Sequence, residues 1–182
     1  MKYFSFILSL ALSCSGCVAS SSNNLITLTG DSAAILPQVI ASDLEGKEYS
    51  LPKDFTSDKT IVIFGFSHGQ QKAIDTWLPT LKERAKQDAE FSYIEIPVID
   101  NKNAMLRTII RNGMRTGITE SEDRQKTITL FADKDNLLKS LKVSDPQNIE
   151  VMVIDKQGIV SRRVSGEYSA EKLSDLLGPS MN

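Results

Sequence analysis

Gly65-Phe66-Ser67-His68-Gly69 is the stretch of this chain best suited to chemistry. It has the Gly-x-Ser-x-Gly spacing of a nucleophile elbow, a sharp turn between strand and helix that presents a serine hydroxyl for acyl transfer. The serine needs a base, and in that arrangement the base is a histidine from a loop later in the chain. This chain has one histidine, His68, directly beside the serine. The turn holds its imidazole away from the Ser67 hydroxyl, and nothing else marks Lys72 as a substitute base. A serine hydrolase built on Ser67 is therefore the second reading, behind a glycine-permitted turn at a strand end. A first-row metal wants several imidazole or thiolate ligands, and His68 has no such neighbour in sequence. Neither a metal nor another cofactor is expected, and His68 reads as an exposed loop residue.

Sulfur chemistry is confined to one end. The two cysteines are Cys14 and Cys17, so residues 18–182 contain no thiol. A thiol-dependent peroxidase or reductase needs a thiolate nucleophile, which makes it a remote third reading. The cysteines follow Met1-Lys2 and an apolar run from Tyr3 to Leu12, which is too short to span a bilayer and has the length of a secretory h-region. Ser15-Gly16 before Cys17 resembles the bacterial lipobox, although Cys14 stands where an aliphatic residue is usual. Cys14, preceded by Ala11-Leu12-Ser13, is the other possible attachment point. Ordinary cleavage near Ala19, leaving a soluble protein, is the competing expectation. Buried acyl chains contribute about 0.8 kcal/mol per methylene, and more than one chain gives stable anchoring. Residues 1–17 are thus read as a signal peptide with lipobox, and residues 18–35 as a polar tether, beginning Ser20-Ser21-Ser22-Asn23-Asn24, with an irregular segment.

The whole chain has 182 residues, 41% of them hydrophobic, enough for one ordinary core. With 21 basic and 23 acidic residues, a net charge of -2, it lacks the basic balance of a nucleic-acid binder.

The elements that would position these residues alternate. Val39–Ala41 and Tyr49–Leu51 flank Asp43-Leu44-Glu45-Gly46-Lys47, a hairpin with Gly46 in its turn. Thr60–Phe66 is an apolar, β-branched run that reads as a buried central strand. The helix after it places Ala73, Ile74, Trp77, Leu78, Leu81 and Ala85 on one face, and Pro79 should kink it. On that face Trp77 is better explained by packing than as a ligand platform. Phe91–Val98 is a second strand. Residues 102–114 form a helix with Met105, Leu106, Ile109, Ile110 and Met114 as its apolar stripe. Opposite lie Arg107, Arg111 and Arg115, read as a solvated face or, functionally, as a docking surface for an acidic partner or lipid headgroups. Thr127–Phe131, a short helix over Asn136–Leu141, a hairpin of Val151–Ile154 and Ile159–Val164, and a helix over Ala170–Leu177 complete the chain. Asp155 in that hairpin is turn chemistry, not a calcium ligand. The order implies an α/β domain over residues 36–182, with a mixed central sheet and helices on both faces.

That order, with Asp43–Lys47 and Tyr49-Ser50-Leu51, the strand ending at Phe64 before a proline-bearing helix, and Val151-Met152-Val153-Ile154-Asp155-Lys156-Gln157-Gly158, resembles thioredoxin-like proteins of the peroxiredoxin and membrane-anchored thioredoxin group over residues 36–178. The resemblance implies a three-layer thioredoxin-like sandwich. It also implies two cysteines near Gly69 and Lys72, or near Gln71 and Ile74, and a cis-proline near Ile149. Those places hold no cysteine, and the nearest proline is Pro146. A narrower likeness rests on Gln70-Gln71, Asp75-Thr76-Trp77-Leu78-Pro79 and Ile110–Ile118. These segments are similar to the mitochondrial ATP synthase assembly factors and their uncharacterised bacterial relatives, the former being chaperones of a membrane subunit.

The resemblance implies a thioredoxin-like body that has lost its thiols and binds without reacting. The expectation is a redox-inactive lipoprotein of the bacterial cell envelope, lipid-anchored or soluble in the periplasm, serving as a protein-binding or assembly module and not as an enzyme. Its partner is expected to be an envelope or membrane protein, met in a groove lined by Phe66, His68, Gln70 and Gln71.

Overall fold

The computed structural model describes residues 33–100 and 103–178. They form a seven-stranded sheet in the order β2-β1-β5-β4-β3-β6-β7. The strands are β1 (Val39–Asp43), β2 (Glu48–Leu51), β3 (Lys59–Gly65), β4 (Ser92–Ile99), β5 (Ile128–Phe131), β6 (Glu150–Asp155) and β7 (Val160–Ser165). β3 pairs parallel with β4, and β4 with β5, whereas β6 runs antiparallel to β3 and β1 antiparallel to β5. The sheet is therefore mixed, with an antiparallel hairpin at each edge.

The helices are α1 (Gln71–Gln87), α2 (Ala104–Gly117), α3 (Ser121–Lys126), α4 (Lys134–Leu141) and α5 (Ala170–Leu177). Period-two alternation along β3 and β6 sends side chains to two cores. Ile61, Ile63, Val151 and Val153 pack with Ile74, Trp77 and Leu81 of α1 and with Leu176 and Leu177 of α5. Val62, Phe64, Met152 and Ile154 pack on the other face with Leu137 and Leu141 of α4. This is the three-layer α/β sandwich the sequence predicts.

Both hairpin turns depend on glycine and a capping aspartate. Gly46 has φ of 95°, and the Asp43 carboxylate accepts from the N–H groups of Glu45 and Lys47, each at 2.9 Å. Gly158 has φ of 87°, and a Cβ there would collide with the Leu36 carbonyl oxygen. Asp155 Oδ1 accepts from the N–H groups of Gln157 at 2.9 Å and Ile159 at 2.8 Å, which confirms turn chemistry at that aspartate.

α1 carries Pro79 inside one helix. Two details differ from the sequence expectation. α3 was not foreseen. Ala34 and Ile35, placed in the irregular segment, already belong to the sheet edge: the Val160 N–H donates to the Ala34 carbonyl at 3.0 Å, and Ile35 bridges to Ile159.

Candidate functional site

The loop from β3 into α1 is fastened from within. Phe66 is buried and stacks on Phe64 with centroids 6.3 Å apart. Its N–H donates to Gln70 Oε1 at 2.6 Å, and the Ser67 N–H reaches the same oxygen at 3.2 Å. The Gln70 amide nitrogen donates to the Pro146 carbonyl at 2.8 Å. Lys134 of α4 donates to the Phe66 carbonyl, also at 2.8 Å. The strand has ended at this point, so these backbone groups need side-chain partners, and buried Gln70 supplies three bonds at once.

Of the four residues expected to line a groove, Phe66 and Gln70 therefore face inward, while His68 and Gln71 are exposed. Ser67 is also exposed, but its φ of -153° and ψ of 155° are relaxed extended backbone and not the strained turn of a nucleophile elbow. In front of β6, where the family resemblance puts a cis-proline, Ile149 is fully buried. Among the described residues the only cis peptide bond is Leu51–Pro52, at the far hairpin. Trp77 is a core residue: it is fully buried, donates to the Gly166 carbonyl at 3.0 Å and meets Tyr168 edge-on.

A second feature, missed from the sequence, lies one helical turn away. A cavity of about 210 Å³ opens between α1, β4 and α3, and Gln71 and Asp75 form part of its rim. Glu95 of β4 lines it at 3% exposure, and among the described residues neither Glu95 Oε1 nor the Tyr93 hydroxyl has a hydrogen-bond partner. Burial, reinforced by the negative charges of Asp75 and Asp123, pushes the Glu95 carboxyl up to about 7. The sequence signal was a single charged letter inside the apolar strand Ser92–Ile99.

The sequence matches no family model, and no curated protein matches it. Solved structures do resemble the chain. The exposed lipoprotein thioredoxin of Streptococcus pneumoniae superposes with a TM-score of 0.53 at 18% identity, covering 75% of this chain and 95% of its own. A thiol-disulfide oxidoreductase from Bacteroides fragilis gives 0.53 at 14% identity, covering 78% and 94%. StoA from Bacillus subtilis gives 0.50 at 15% identity, covering 80% and 99%. The fold is thioredoxin-like.

In this thioredoxin-like domain the α2 arginines are only partly a solvated face: Arg115 is exposed, while Arg107 and Arg111 are half-buried. The Arg107 guanidinium lies 5.1 Å from the Phe131 ring centroid, and Arg115 pairs with Glu45 at 3.2 Å. Glu45 also accepts from Arg124 at 2.7 Å, and that bond holds its carboxyl below the usual range. Cys14 and Cys17, with the expected signal peptide and most of the expected tether, lie outside the described residues. Among the described residues no helix is long and apolar enough to cross a membrane.

Proposed function

We propose that the chain is a redox-inactive, thioredoxin-like envelope lipoprotein that acts as a protein-binding or assembly module. One observation carries this reading. The stretch that would bear the redox thiols, Gly69 to Ile74, holds no cysteine, and its Gln70 is spent on holding the backbone together. Thiol-disulfide exchange requires a thiolate, and residues 18–182 contain no sulfur nucleophile. What remains at this end of the domain is a shaped surface bearing exposed His68 and Gln71. The likeness to the ATP synthase assembly factors supports an assembly role, and Cys17, or Cys14, would carry the lipid that tethers the domain to the membrane.

Site-specific photo-crosslinking in cells tests this. A crosslinker at His68 or Gln71 should give one discrete adduct with an envelope protein, and a crosslinker at exposed Gln87, at the other end of α1, should not. Equal adducts at all three positions would count against a groove. Reduction of insulin disulfides or of a hydroperoxide by the Cys14→Ser/Cys17→Ser double variant would refute redox inactivity.

A further inference from the structure

We propose that the cavity between α1, β4 and α3 is a binding site for an organic cation with N–H donors, an alkylammonium or a guanidinium group, received by the Glu95 carboxylate with Asp75 and Asp123 beside it. Three carboxylates line the cavity against one ammonium, that of Lys126. Two of the three are already engaged. Asp123 pairs with Lys82 of α1 at 2.6 Å, and Asp75 accepts from the Gln71 amide at 3.0 Å. Glu95 Oε1 has no hydrogen-bond partner among the described residues, and Lys126 lies over the Tyr93 ring, 5.3 Å from its centroid. A buried carboxylate without donors is costly to keep. A cation bringing N–H groups would satisfy it, and the unpartnered Tyr93 hydroxyl is a further acceptor nearby.

Size and lining narrow the class. About 210 Å³ is small beside the 300–1,000 Å³ or so of drug-sized ligand sites. It has room for a charged head on a short stem, and Leu78 and Ile118 supply apolar wall for the methylenes. A bare metal ion is the poorer candidate, since among the described residues no three metal-ligating side chains, these carboxylates included, are placed so that they could hold one. The cation could be a free small amine or the side chain of a lysine or arginine on a bound peptide. Gln71 belongs both to this rim and to the surface proposed above, so a peptide crossing the first turn of α1 could reach the cavity. The cation site does not rest on the redox reading and survives its failure.

Titration calorimetry on the full chain tests the site, with n-propylguanidinium and n-propylammonium as free cations. Capped Gly-Arg-Gly and Gly-Lys-Gly serve as peptide sources, and n-propanol as the neutral control. At least one cation should bind and n-propanol should not. Binding by the free cations or by the peptides alone identifies the source and upholds the site either way. Glu95→Gln should abolish binding. Asp75→Asn, at an exposed position that leaves the core intact, should weaken it about threefold. The groups around Glu95 are Asp75 from α1, Asp123 and Lys126 from α3 and Tyr93 from β4, with Lys82 reaching Asp123 and Glu122 acting on Tyr93. With Glu95 titrating near 7, affinity should rise about tenfold from pH 6 to pH 8 as the carboxyl ionises. Absence of binding by every cation, equal binding by n-propanol, or unchanged affinity in both variants would overturn the proposal.

Discussion

The two longest helices of this domain are both amphipathic, yet they use their apolar sides in opposite ways. α1, of 17 residues, buries Ile74, Trp77 and Leu81 against the sheet. α2, of 14 residues, buries nothing: Met105 is 76%, Ile109 57% and Leu106 41% exposed. The side of α2 that meets the domain carries half-buried Ile110 and Met114 together with the arginines. Arg107 lies over Phe131, and Arg115 pairs with the hairpin carboxylate Glu45. A periodic apolar stripe shows that a helix has a greasy side; it does not show that the domain covers it. The faces of the sheet are finite, and α1, α4 and α5 already occupy them. α2 meets the domain through Arg107, Arg115 and the half-buried Ile110 and Met114.

If that contrast is right, the largest effect should come from α1. Trp77→Ala removes a fully buried ring, its bond to the Gly166 carbonyl and its edge contact with Tyr168. Loss of about 3–5 kcal/mol is expected in denaturant unfolding. A loss under about 1 kcal/mol would mean that α1 is no better packed than α2.

The next effect concerns the polar gap beneath α1. The Glu95 carboxyl titrates near 7 in the folded chain, above its ordinary value of 4.5. Between those values the folded state holds a proton that the unfolded state has released, so folding is favoured at the acid end. Stability at Glu95 is complete below pH 4.5, declines as pH rises, and is lost above about 7, a change of about 3 kcal/mol. Glu95→Gln should flatten that part of the stability profile. An identical pH slope in the variant would place the ionising group elsewhere.

Much of the frame could be read from the chain because its signals are local. The apolar run of β3, the glycines of both hairpin turns and the packed side of α1 each follow from a few adjacent letters, and α5 begins and ends where its periodicity says. What could not be read was decided at a distance. α3 has six polar residues and no buried one, and it is placed by Asp123 reaching Lys82 and Arg124 reaching Glu45. Gln70 looks like a surface residue until the backbone ends of β3 are counted and found to need its amide. Glu95 could be noticed as a charge inside a strand, but only the fold shows that α1 and α3 leave a space above it. The rotation of α2 belongs to the same class, since the apolar and basic letters were both visible and only the fold shows Arg107 over Phe131 and Arg115 beside Glu45.

The smallest expected effect is therefore the one that tests the helix reading most directly. Met105→Ser and Ile109→Ser replace two apolar side chains that remain mostly in solvent, so little transfer free energy is at stake. Their combined effect on unfolding should stay within about 0.5 kcal/mol, the range of ordinary surface substitutions. Chemical-shift changes should be confined to α2. The same two changes at Ile74 and Leu81 would open cavities in a closed layer. If the α2 pair cost more than about 2 kcal/mol, its apolar side would have to be packed against the domain. The arginines would then be the solvated face that the sequence first suggested.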